Sequence, residues 1–188
     1  MRHRTTPLIL LAGAVICAGA TRAAADGDRP RHAQIVALDE CDPVTFNPAV
    51  GPDGTGFCHN VTLYGLGLHY ETPLGTLIGE ANAGTPDPGW DFEPDEMTVD
   101  RGTTLSVVDQ GGEPHTFTEV AHFGGGFVEP LNAGQPTVPE CAGGFKNVAV
   151  ARTRILQGSR LDVTGLSKGK HLFQCCIHPW MHVEVNVK

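Results

Sequence analysis

Cys175-Cys176-Ile177-His178-Pro179-Trp180-Met181-His182 is the stretch from which the rest of this chain is best read. A thiol, an imidazole and a thioether follow one another at three-residue steps, as C-x-x-H-x-x-M. One thiolate, nitrogen donors and a weak thioether suit copper cycling between its two oxidation states. Such a centre takes two His, one Cys and an axial Met. The run supplies three of those four donors, so a second His must come from elsewhere. His115, in Gly111-Gly112-Glu113-Pro114-His115-Thr116-Phe117-Thr118, is the candidate. The expected metal ligands are therefore His115, Cys175, His178 and Met181.

The sequence on either side alternates as strands do. His171, Phe173 and Cys175 share one face, with Lys170, Leu172 and Gln174 on the other, and Val183, Val185 and Val187 line one face of a closing strand. Residues 33–38 and 57–68 are apolar runs of strand length. Phe92, Met97, Val99, Leu105, Val107 and Phe117 mark further strand segments, broken by turn residues at Asp100-Arg101-Gly102 and Asp109-Gln110-Gly111-Gly112. Residues 148–155 and 159–163 add two more strands. The stretch holding Pro43, Pro48 and Pro52 reads as loop, residues 81–89 as a turn-rich connector, and residues 124–144 as a long irregular excursion. No segment keeps helical periodicity for three turns. The expected class is all-β, a Greek-key sandwich or barrel, in keeping with 24 Gly and 14 Pro.

Arg2, His3 and Arg4 precede an apolar run over residues 7–20, which is short for a membrane span, and Ala23-Ala24-Ala25 offers a small-residue cleavage site. Residues 1–25 thus read as a signal peptide, against the alternative of an uncleaved anchor. Export to a periplasmic or extracellular space is expected, with no stable membrane insertion after cleavage. Loss of three arginines and no acid moves the formal charge from −8 to −11. So acidic a chain is a poor binder of nucleic acid and of anionic membranes, and weakly favours basic partners. The 163 residues left can build one domain with a sizeable core. Residues 26–89 are expected as an N-terminal extension packed on a core formed by residues 90–188.

Five cysteines remain after cleavage, and in an oxidising compartment an odd number leaves one thiol over. If Cys175 binds metal, the plainest pairing is Cys41 with Cys58 and Cys141 with Cys176. Closing the first of these loops is worth about 3 kcal/mol through constraint of the unfolded chain. Cys175 gives the C-x-x-H spacing and shares its face with Phe173. Cys176 would give C-x-H and point to the opposite side of an extended strand. Spacing and face favour Cys175.

Residues 90–188 resemble the cupredoxins, the small plastocyanin- and azurin-like blue copper proteins. The resemblance rests on Phe92-Glu93-Pro94, Asp100-Arg101-Gly102-Thr103, Pro114-His115-Thr116, and the Cys175-to-Met181 loop ahead of a valine-rich strand. It implies one type 1 copper ion held by His115, Cys175, His178 and Met181. It also implies a one-electron carrier, not an enzyme, that works as a monomer and meets a redox partner protein. Thr116 then has two readings, a hydrogen bond across to the ligand loop or an ordinary strand residue. Pro179 and Trp180 likewise form either an apolar docking collar or simple packing against a neighbouring loop.

Other functions fit less well. Copper trafficking or buffering usually employs exposed, clustered Met, and this chain has three Met including Met1. A multicopper enzyme needs His-x-His pairs and a binuclear purple site needs C-x-x-x-C; the chain has neither. A recognition module on a degenerate cupredoxin fold would not need all four ligands. His122, His59 and His69 lack compact metal-binding spacing and are expected to be structural or exposed; His182, at the start of the outgoing strand, is expected to be structural or at the surface, and His171 to be a core or half-buried residue. N-terminal sequencing of the purified protein is predicted to begin at Asp26; a start at Met1 would overturn the export reading.

Overall fold

The computed structural model describes residues 31–49, 58 and 72–188. Among the described residues, alternation of apolar and polar residues helps lay down ten strands, most of which pair into two four-stranded sheets. The first sheet has the order β2 (Asp91–Glu93), β1 (His32–Leu38), β4 (Thr104–Asp109) and β8 (Arg160–Val163). The second has the order β3 (Glu96–Val99), β10 (His182–Val187), β9 (Gly169–Gln174) and β6 (Thr118–Val120). A short ribbon of β5 (His115–Thr116) with β7 (Arg154–Ile155) completes the set. The sheets do not merge, so the all-β class takes its sandwich form.

Residues of both inner faces form one core. Ile35, Ala37, Leu105 and Val107 come from the first sheet, and Phe173, Val183 and Val185 from the second. Phe117 joins them at the end near β5. Its ring stacks on Phe173 at 4.4 Å and meets Phe92 edge-on at 5.3 Å. β1 runs parallel to β4, with Ala37 opposite Asp109. That register brings Asp39, just past β1, and Asp109, the last residue of β4, to the same end of the sandwich. The segment expected as an extension thus lays a strand between β2 and β4.

Three helices depart from the strand-and-loop reading. The described part of the proline stretch forms α1 (Pro43–Ala49), because Asp42 accepts the Val44 N–H at 2.9 Å and Pro43 occupies the first helical position; Pro52 lies outside the described residues. α2 (Leu74–Ala83) covers ground read partly as connector; it buries Leu77 and Ala81 and stops at Gly84 in the left-handed region. α3 (Val148–Arg152) replaces most of an expected strand. There the Asn147 side chain caps the Ala149 N–H, and two alanines outweigh the valine preference for extended chain. The expected strand over residues 57–68 lies outside the described residues, apart from Cys58.

The disulfides are Cys41–Cys58 and Cys141–Cys176, and Cys175 is the free cysteine among the described residues. Phe117→Ala is predicted to cost about 3–5 kcal/mol, since it opens a cavity beneath two aromatic contacts. Urea unfolding of the two proteins measures it.

Candidate metal centre

The ligand loop begins where β9 ends and closes on itself before β10. The Cys175 N–H donates to the Met181 carbonyl at 2.9 Å, and the Met181 N–H donates to the His178 carbonyl at 3.0 Å. Two further bonds tie the loop to β5. The Cys176 N–H donates to Thr116 Oγ1 at 2.7 Å, and the Thr116 N–H points at Cys175 Sγ at 3.4 Å. Thr116 therefore bridges to the loop, the first of its two sequence readings.

The excursion over residues 124–144 covers the loop from the other side. The Phe127 N–H donates to the Cys176 carbonyl at 2.8 Å, and Cys141 is bonded to Cys176. Gly126 is required there, because a Cβ would come within 2.1 Å of that carbonyl oxygen. Gln174, on the strand face opposite Phe173 and Cys175, is fully buried. Its amide exchanges two hydrogen bonds of 3.1 Å with the Gly124 backbone.

Three of the four sequence candidates converge through their side chains. Cys175 Sγ lies 3.8 Å from His115 Nδ1 and 3.9 Å from His178 Nδ1, and the three donor atoms all fall within 4.8 Å of one another. Such separations suit donors that share one ion at about 2.0–2.3 Å each. Met181, the fourth, is fully buried and hydrogen-bonded through its backbone to both loop partners. Exposure is 0% for His115, Cys175 and Met181, and 1% for His178. His178 does not emerge at the surface. Trp90 meets its ring edge-on at 4.8 Å, the Trp180 ring lies at 5.6 Å, and the Trp180 indole N–H donates to the Trp90 carbonyl. Phe46 of α1 stacks behind Trp90 at 5.6 Å.

Three buried acids that the sequence reading missed surround these rings. Asp39 Oδ2 lies 2.9 Å from His115 Nε2, and Glu113 Oε2 lies 3.1 Å from His178 Nε2. Asp109 forms a second close group with Asp39 and His115. Glu113 had one local signal, its place two residues before His115. Asp39 and Asp109 had none beyond standing at strand ends.

Protonation follows from this packing. Burial alone would raise the Cys175 pKa, but its hydrogen bonds to His115 and His178 hold it well below the usual thiol value. Burial alone would lower both imidazoles. Asp39 and Cys175 instead push His115 well above its ordinary value, and Cys175 with Glu113 raise His178. Asp39 is lowered against its own burial by His115 and the backbone N–H groups of Glu113 and Gly112. The surroundings thus favour the thiolate form of Cys175, and a thiolate is the form that ligates metal.

The other histidines weighed from the sequence fall as follows. His171 is held by Glu119 at 2.6 Å and the Ser167 carbonyl at 2.8 Å, His182 stacks on Phe123 at 4.3 Å, and His122 is exposed. None of these three joins a metal-binding group among the described residues. His59 and His69 lie outside them.

No family model matches this chain, and no curated protein matches it. Among solved structures it is similar to a purple cupredoxin from Nitrosopumilus maritimus, at 16% identity and a TM-score of 0.36. That match covers 58% of this chain and 92% of the other. It is also similar to an amicyanin mutant in the Cu(I) state, at 17% identity and a TM-score of 0.33, covering 52% and 73%. A reduced amicyanin mutant gives 19% and 0.32, covering 51% and 71%.

Asp109 gives the metal-free protein a pH signature. Burial, with the nearby Asp39 charge and against His115, pushes its carboxyl up to about 7. Between about pH 4 and pH 7 the folded protein holds a proton that the unfolded chain has released, so stability falls as pH rises. Above that window the effect is constant. Asp109→Asn removes it. Metal-free D109N is predicted to gain on wild type by up to about 1.4 kcal/mol per pH unit across the window, as measured by urea unfolding at several pH values. A difference independent of pH would contradict the assignment.

Proposed function

We propose that this protein is an exported cupredoxin carrying one type 1 copper ion on His115, Cys175, His178 and Met181, and that it works as a one-electron carrier. The observation that carries the reading is the buried triangle of one thiolate sulfur and two Nδ1 atoms, built on a loop that ends in a buried methionine. Sulfur and nitrogen donors, with a methionine on the same loop, select copper over harder ions. Bound copper would supply the one-electron couple. The chain's own residues do the rest.

Backbone hydrogen bonds within the loop, Thr116 and the Cys141–Cys176 bridge restrain the donors, so little nuclear motion accompanies a change of charge. The aromatic wall of Trp90, Phe46 and Trp180 keeps water from His178. The site binds no substrate in this reading, and the protein is not an enzyme. Copper buffering is the weaker alternative, because exchange with a partner favours accessible donors and these are buried.

Of the loop residues, Pro179 and Trp180 are half-buried while the metal-binding candidates are covered. They border a cavity of about 220 Å³ together with Phe123, Leu131 and His182. A redox partner protein would dock at this edge, with the Trp180 ring between solvent and His178. The leader over residues 1–25 supports a periplasmic or extracellular location, where both disulfides persist. In this reading residues 90–188 carry the copper domain, and residues 26–89 pack against it.

Copper addition is predicted to turn the protein blue, with strong absorption in the red that mild reductants bleach reversibly. Cys175→Ser abolishes that band. A colourless protein that holds copper(I) and yields it to a chelator would replace this reading with trafficking, and loss of colour in Cys176→Ser alone would move the thiolate to the neighbouring residue.

A further inference from the structure

An imidazole offers one lone pair to a metal, and the partner of the other ring nitrogen decides which atom that is. His115 and His178 both turn Nδ1 toward Cys175 and Nε2 toward a buried carboxyl group, Asp39 for the first and Glu113 for the second. The two carboxyl groups share one support. Asp39 Oδ1 accepts the Gly112 N–H at 2.8 Å, and Oδ2 accepts the Glu113 N–H at 3.0 Å. The turn closes so tightly that a Cβ on Gly111 would come within 1.8 Å of Asp39 Oδ2. A single turn, residues 111–114, thus clamps one carboxylate and supplies the other. Asp39 and Glu113 are 4% and 5% exposed.

Resting on the copper reading above, we propose that Asp39 and Glu113 are positioning residues. They lock both imidazoles with Nδ1 toward the ion, and they bias the centre toward copper(II) over copper(I). The bias follows from charge. In a weakly polarisable interior the attraction of a fixed negative group scales with the charge of the ion. Two buried carboxyl groups behind the imidazoles therefore stabilise a dipositive ion more than a monopositive one. They also make the ring donors more basic. Asp39 reaches the site from the end of β1, 76 residues before His115, so the N-terminal segment helps to set the electronic character of the centre.

The experiment uses the full processed protein with Asp39→Asn and Glu113→Gln, which keep size and an acceptor oxygen but remove the charge. Copper(II) and copper(I) affinities are measured by competition with chelators, and the midpoint potential by voltammetry. Each variant is expected to bind copper(II) 10–100-fold less tightly, with a smaller loss for copper(I). Every tenfold difference between the two losses raises the potential by 59 mV. Equal losses for both ions at an unchanged potential, or a lowered potential, overturn the proposal and leave these groups with a structural role only. If D39N does not fold because Asn cannot accept the turn's amides as Asp does, E113Q decides the matter by the same measurements. Wild-type protein that shows no red band with copper defeats the copper reading itself. A blue wild type with unshifted variants defeats only this inference.

Discussion

A thiolate sulfur has no place in a protein interior unless opposite charge and hydrogen-bond donors meet it there, since an isolated buried charge costs more than a domain's whole stability. Cys175 is completely buried, and its sulfur is met by two imidazoles and the Thr116 amide. Those imidazoles are themselves buried and need partners, which Asp39 and Glu113 provide. Asp39 in turn rests on backbone amides of the turn before His115. Sulfur, imidazole, carboxylate and amide form one chain of obligations. Removing any link leaves an unpaired charge in the core, so the loop, β5 and the end of β1 stand or fall together.

The same chain explains why so much structure surrounds a small site. Around it lie three covers of distinct origin. α1 brings Phe46 behind Trp90, the long excursion lays Gly126 and Phe127 on the ligand loop, and the Cys141–Cys176 bridge fastens that excursion to the residue beside the thiolate.

Much of the architecture was readable because it is written in short-range pattern. Alternation marked β4, β9 and β10, since successive strand side chains face opposite ways. Three candidate ligands share one loop at fixed spacing, and that spacing with the strand face favoured Cys175 over Cys176. The misreadings share a cause as well. Asp42-Pro43 looks like loop punctuation yet is also a cap followed by a first helical position. Residues 148–152 look like a strand until Asn147 is recognised as a cap. Gln174 obeys alternation, and the excursion reaches back over its face of the strand.

Local spacing along the chain was thus enough to single out the Cys175, His178 and Met181 side chains as candidates and to mark the sheet-forming segments, because both depend on neighbours a few residues apart. Where those donors sit in relation to charge was another matter. Asp39 meets His115 across 76 residues because β1 pairs in parallel with β4, and Glu113 turns back onto His178 because two distant loops pack together. No periodicity records such meetings. They arise from strand order and register, which emerge when the two sheets close over a common core.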